Sequence, residues 1–280
     1  FDRGEYAPIR ITNRPSVALI GACASASIIK SPDGLAGDFD GVAQVRLFGL
    51  GWETTLRSEA ADAITPALRL SGASETHLEQ LEVTSRRGHG LVIKDHTEGS
   101  VVLRRSSFSA ADEGQLGEQR PMDGVRVKDS LGSWTVEGNL FRSISGHALA
   151  MMRVNGTVSI GANDFAESIE QVGLRAAEGL GSWTVEGNLF RGVERSYAIE
   201  FSSFSGSEAT VSISGNQIDC SAKAGIFLHE NVGSWTVEGN LFRGVGRGIQ
   251  MTNSPTLQQL SISGNSFEGF QSAALGMMRC

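Results

Sequence analysis

From residue 131 onward, apolar and polar positions alternate with period two, in short runs that return in the same order about every 25 residues. The clearest run is the phrase GSWTVEGNLFR, present letter for letter at 132–142, 181–191 and 233–243. Between these copies it returns in degraded form as TVSIGANDF (157–165), TVSISGNQI (210–218) and QLSISGNSF (259–267). Aligned on Asn139, Asn163, Asn188, Asn216, Asn240 and Asn265, the spacings are 24, 25, 28, 24 and 25 residues. The unit is therefore one coil of about 25 residues, and the identical copies mark a two-coil duplication.

Each aligned column has a chemical type. Two residues after the asparagine stand Phe141, Phe165, Phe190, Ile218, Phe242 and Phe267. Three residues before it stand Val136, Ile160, Val185, Ile213, Val237 and Ile262, with Trp134, Trp183 and Trp235 on the same parity. Thr or Ser lies between them, so the run reads as a strand with the tryptophans inward and the hydroxyls outward. A second strand follows 9–11 residues after each asparagine, with inward pairs from Leu149/Met151 through to Leu275/Met277. Nothing repeats at 3.6 residues, which excludes a helical solenoid. The columns recur in one direction, which argues against hairpins. The pattern predicts an all-β chain coiled into parallel sheets, each strand about 4.8 Å from its equivalent. Asparagine amides then hydrogen-bond up the stack, and the Phe rings pile inside it.

The rhythm GN-x-F followed by G-I/L-x-L/M resembles the right-handed parallel β-helix proteins, the pectate-lyase-like architecture of secreted bacterial proteins. The resemblance is strongest over 131–280. It continues in looser form through VVLRRSSF (101–108), LEQLEVTSRRGHGLVI (78–93), VRLFGLGWETTLRS (45–58) and SVALIGACASASIIKS (16–31). It implies a solenoid of about ten coils, roughly 48 Å of stack. The expected organisation is a lead-in or cap over 1–16 and a single β-helix domain over 17–280. ALGMMRC at 274–280 parallels ALAMMRV at 148–154, so the helix is expected to continue, or to be capped by another chain, beyond 280. The start at Phe1 without a leader reads as a mature or trimmed fragment.

Composition sharpens this picture. Gly supplies 35 of 280 residues and Pro only 6, in a sequence that is 40% hydrophobic, which signals ordered turns. The formal charge is −7, so nucleic acid is not an expected partner. No apolar run approaches the roughly 20 residues of a membrane span. Cys23, Cys220 and Cys280 are too few and scattered for a disulfide framework or a metal-ligand pattern.

For chemistry, GHG (88–90) and RVK (126–128) resemble the polygalacturonase branch. That branch also needs an Asn-Thr-Asp turn and an Asp-Asp pair. Upstream stand only DFDG (38–41) and Asp62. A calcium-dependent lyase would need acidic ligands and an Arg or Lys base. The richest region for either is 89–129, with His89 over Asp123, Lys94 over Lys128, Asp95 over Asp129, Arg126 outward, and Glu118 and Arg120 in the insertion 109–124. The competing reading is a solvated face of Lys–Asp pairs on adjacent turns. Thr135/Glu137/Arg142, Thr184/Glu186/Arg191 and Thr236/Glu238/Arg243 form a polar ladder every second coil, suited to an extended glycan. Rows of threonine are also what an ice-binding surface presents, with Glu and Arg here expected to interrupt such a face.

The favoured expectation is a non-enzymatic extracellular or cell-surface module, structural or adhesive, with polysaccharide or cell-surface partners and no cofactor. An enzyme acting on acidic glycans through the 89–129 face is the alternative, with Ca²⁺ entering only under its lyase form.

Overall fold

The computed structural model describes residues 2–31, 35–54, 65–86, 88–110, 122–254, 257–269 and 272–278. Asp62, Glu118, Arg120 and Cys280 lie outside them. The described residues form strands and turns only, coiled into a right-handed parallel β-solenoid of about ten coils with three faces.

The first face runs from Gly4–Tyr6 through Ser27–Ser31 to Ser266–Glu268, eleven strands in chain order. The second runs from Ile9–Thr12 through Leu91–Lys94 and Tyr197–Ser202 to Ala273–Met278. The third runs from Ser16–Ile20 through Ser100–Arg104 to Leu257–Ser263. In the 13-residue strands Val125–Glu137 and Leu149–Gly161, the second and third faces join without a break. Strand pairing begins at Gly4, inside the stretch read from the sequence as a lead-in.

The repeated phrase is legible in this geometry. Its first glycine passes against the previous coil. A Cβ on Gly181, at φ 91°, would lie 2.2 Å from the Gly156 carbonyl oxygen. Its second glycine sits in the left-handed region before the asparagine, as at Gly187 with φ 63°. The asparagine then turns inward. Nδ2 of Asn139 donates to Oδ1 of Asn163 at 2.9 Å and to the Leu103 carbonyl at 2.9 Å. The same pattern climbs through Asn163, Asn188, Asn216 and Asn240 to Asn265. Each amide satisfies the backbone of the coil beside it, so the sharp turn leaves few buried polar groups unpaired.

One step on, Phe108, Phe141, Phe165 and Phe190 stack with centroid spacings of 5.4, 4.9 and 4.3 Å. Ile218 interrupts the pile before Phe242 and Phe267, which stack at 4.8 Å. The tryptophans point inward, as their parity requires, and are buried. Phe201 and Phe204 each meet both Trp183 and Trp235 edge-on, filling the space that Val211 leaves between them.

One expected inward pair departs from the pattern. Leu275 and Met277 keep register with Ile249 and Met251, yet they are 45% and 51% exposed. No described strand packs on their other side.

Candidate functional site

The register of the second face places the charged candidates. Leu91 pairs with Val125 and Lys94 with Lys128, so the two lysines stand one above the other as the sequence alignment expected. Asp95 and Asp129 follow in the left-handed corner leading to the third face, at φ 55° and 53°. Lys94 meets Asp95 of its own turn at 3.6 Å. Asp129 is engaged by Arg153 of the next coil at 2.5 and 3.0 Å, which lowers its pKa. The aspartates are thus paired within the turn and with an arginine, and not with lysines of the adjacent coil.

His89 and Asp123 are brought together but buried. Nδ1 of His89 accepts from the Asp123 backbone N–H at 2.9 Å. Burial lowers the imidazole pKa to about 4 against the pull of Asp123, with Arg126 and Lys128 adding to the fall. The ring is therefore neutral at neutral pH, and its 3.8 Å approach to the Asp123 carboxylate is not an ion pair. That carboxylate, with no exposed surface, accepts from Arg126 Nε at 2.6 Å and from the His147 backbone N–H at 2.9 Å. Arg126 leaves the strand outward, then folds back onto its own turn.

Beyond Asp123 lie residues that sequence reasoning passed over. His147 occupies the position above Asp123, two residues before the paired Leu149 and Val125. Burial, opposed by Asp123 and aided by Arg175 and Arg126, lowers its pKa to about 4. Its Nε2 accepts from Arg175 at 3.1 Å, so Nδ1 carries the proton, and that buried N–H has no acceptor. Arg175 Nε is also buried without a hydrogen bond, and its ion pair with Glu200 is long at 3.5 Å. Burial raises the Glu200 pKa, while Arg175 and His229 pull it back. Outward from the next strand Phe227 stacks between Tyr197, at 4.2 Å, and His229, at 5.9 Å. The result is a chain of interacting groups, Asp123–Arg126–His147–Arg175–Glu200, bordered by aromatic rings. Its signal in the sequence was weak, because no two coils spell it alike.

The third face carries a different array. Ser133-x-Thr135, Thr157-x-Ser159, Ser182-x-Thr184, Thr210-x-Ser212 and Ser234-x-Thr236 lie in register on five successive coils. Each row places two hydroxyls outward, roughly 6.6 Å apart along the strand and about 4.8 Å from the next row. Glu137, Glu186 and Glu238 border the array on one side, alternating with Gly161 and Ser214. Arg142, Arg191 and Arg243 stand elsewhere. The Gly–Asn turn carries them to the first face, where Arg191 pairs with Asp164 and Arg243 meets Glu268 at 2.8 Å. The Thr/Glu/Arg grouping expected from the sequence is therefore split between two faces, and neither Glu nor Arg interrupts the hydroxyl rows. On the N-terminal side the same face holds a cavity of about 90 Å³ between Arg46, Glu75, His77 and Ser100. That is small beside the roughly 300–1,000 Å³ of small-molecule sites.

Among the described residues, no group of three or more His, Cys, Asp or Glu side chains is placed to hold a metal ion. No helix among them is long and apolar enough to cross a membrane.

Comparison with known proteins gives one family match. The family described as "Right handed beta helix region" matches residues 118–267. No curated protein sequence matches the chain. Among solved structures, the chain is similar to the catalytic unit of a thermostable GH87 α-1,3-glucanase from Streptomyces thermodiastaticus strain HF3-3. The identity is 16% and the TM-score 0.43, with 97% of this chain and 63% of that chain covered. The chain therefore spans less than two thirds of that catalytic unit.

Proposed function

The chain belongs to the right-handed β-helix family, and from that premise we propose that it is a non-enzymatic solenoid module of the cell exterior. It is a stiff rod whose hydroxyl face adheres to an extended polysaccharide or cell-surface glycan. The observation that carries this reading is the Ser/Thr-x-Ser/Thr array, unbroken over five coils and held in register by the asparagine ladder. Hydroxyls both donate and accept, as sugar hydroxyls do, and short side chains lose little entropy when they bind. One such hydrogen bond contributes only about 0.5–1.5 kcal/mol, so affinity comes from engaging many rows at once. Identical copies fit this role, since each duplicated pair of coils lengthens the array.

The test is co-sedimentation with insoluble glucans, chitin, xylan and pectin, comparing wild type with Thr135→Val/Thr184→Val/Thr236→Val. Binding that weakens at least tenfold in the triple variant, with the fold intact, supports the reading. No binding to any polymer, or equal binding by the variant, sinks it.

A second reading, an enzyme on acidic glycans, is favoured by the two buried donors without acceptors, His147 Nδ1 and Arg175 Nε. Against it, Asp123 and Glu200 are three coils apart, about 14 Å of stack. The paired carboxylates of glycoside hydrolysis stand about 5–9.5 Å apart.

A further inference from the structure

The chain has ten asparagines, and one of them opens an Asn-x-Ser/Thr sequence with x other than proline: Asn155-Gly156-Thr157. The six ladder asparagines commit their side-chain amides to hydrogen bonds inside the stack, and so does Asn231. Asn155 does not. Its Oδ1 is buried without a partner, which leaves Nδ2 as the outer atom of an amide committed to no bond.

The position suits a substituent. Asn155 lies two residues past Arg153, whose φ of 52° turns the chain from the second face to the third, so it stands on a convex corner of the coil. Thr157 beside it is exposed. The residue between them is a glycine because a Cβ there would lie 2.1 Å from the Gly132 carbonyl oxygen. In register with Asn155 stand Leu131 on one neighbouring coil and Leu180 on the other. They are 48% and 37% exposed. The uncommitted amide thus stands between two partly exposed leucines, within reach of a substituent on its nitrogen.

We propose that Asn155 is an N-glycosylation site whose sugar covers Leu131 and Leu180. Asn155 Nδ2 forms a bond to C1 of the first sugar of a polyprenyl-diphosphate-linked oligosaccharide. The C1–O bond breaks, the lipid diphosphate leaves with the electron pair, and one amide proton passes to a base of the transferase. The sugar then projects from the corner without displacing any buried contact. Its C–H faces lie over the leucine methyls, and its hydroxyls face water.

This inference rests on the extracellular half of the proposed function. It is tested by secreting the chain from insect cells behind a leader peptide and measuring intact mass before and after treatment with an N-glycan amidase. Three results are expected: a glycan mass lost on treatment; its absence in both Asn155→Gln and Thr157→Ala; and an unfolding midpoint of Asn155→Gln within about 1 °C of wild type secreted with N-glycosylation blocked by an inhibitor, since no hydrogen bond is lost. Removing the glycan is also expected to raise binding of an apolar dye, a rise that Leu131→Ser/Leu180→Ser abolishes. Folded, secreted protein with an unmodified Asn155 overturns the inference, as does a glycan that leaves dye binding unchanged. The same preparations report separately on function. A glycosylated protein that binds no polysaccharide sinks the adhesion reading alone, and a polysaccharide-binding protein with bare Asn155 sinks this one alone.

Discussion

Oδ1 of Asn163 accepts two hydrogen bonds from Asn139, from Nδ2 at 2.9 Å and from the backbone N–H at 3.0 Å. Asn188 does the same for Asn163 one coil further on. Each asparagine is thus an acceptor for the coil on one side and a donor to the coil on the other, and the buried turns form one cooperative column.

An interior rung should therefore cost more than a terminal one. Asn188→Ala removes the acceptor for two Asn163 donors and the donor to Asn216 and the Ile160 carbonyl. With roughly 1–3 kcal/mol for each buried group left unsatisfied, and some groups keeping a second partner, the expected loss is about 2–4 kcal/mol. Asn265, at the half-buried end of the column, has fewer dependents, and Asn265→Ala is expected to cost about 1 kcal/mol. Urea unfolding of the two variants checks the order. Equal losses would mean that the ladder does not act as a column.

The glycines of the repeated phrase separate backbone strain from crowding. Gly187 has φ 63° and nothing within 4 Å of where a Cβ would stand, so Gly187→Ala isolates the left-handed backbone cost, about 1 kcal/mol. Gly181→Ala adds a 2.2 Å collision with the Gly156 carbonyl oxygen and is expected to cost clearly more, or to block folding. Ala162 occupies the Gly187 position one coil earlier at φ 53°, and Ala162→Gly is expected to stabilise by up to about 1 kcal/mol. Thermal midpoints of the three variants give the comparison. A destabilised Ala162→Gly would refute the strain argument.

Acid sensitivity follows from His89 and His147. Both titrate near 4 in the fold and near 6.5 in the unfolded chain. Between those values the unfolded chain binds more protons, so stability falls as pH drops from about 6.5 to 4. The slope is up to about 1.4 kcal/mol per pH unit for each imidazole, and the contribution is full and flat above pH 6.5. His147→Gln keeps an acceptor for Arg175 and removes one titration. Its urea midpoint should decline less steeply than the wild type's across that window. Parallel profiles would show that His147 titrates normally in the fold.

The contrast between legible and illegible parts has a physical origin. The ladder, the Phe pile and the inward tryptophans could be read from the chain because stacking puts like on like, so Asn139, Asn163 and Asn188 had to recur in sequence. His147, Arg175 and Glu200 interact across coils through unlike residues, and the columns that hold them change type at each step. Only the three-dimensional register reveals that neighbourhood. Arg142 was misplaced for another reason. It lies five residues after Glu137, but the left-handed Gly138 and inward Asn139 swing the chain onto a new face, which a period-two reading carried straight on. The sequence also anticipated Lys94 over Lys128 but not Arg153 beside Asp129, since that pair depends on a corner residue of a different chemical type.

Glu200 links stability to the choice between the two functional readings. Its side chain is 14% exposed, and burial raises its carboxyl pKa, so ionisation at neutral pH costs the fold free energy. For a raised carboxyl, the unfolded chain releases its proton first as pH climbs, and the folded state loses stability from the unfolded pKa up through the folded one. Glu200→Gln removes that cost and still offers Arg175 an oxygen. It is expected to be more stable than wild type at pH 7, with the gain fading as pH falls to about 3, below the ordinary Glu range, where the wild-type carboxyl is protonated in both states. Unfolding of the pair at the two pH values measures this directly. Assayed against soluble acidic glycans for reducing ends and for ultraviolet-absorbing products, both proteins are expected to be inactive. Activity in the wild type that disappears in Glu200→Gln would move the function to the second face and make Glu200 its acid.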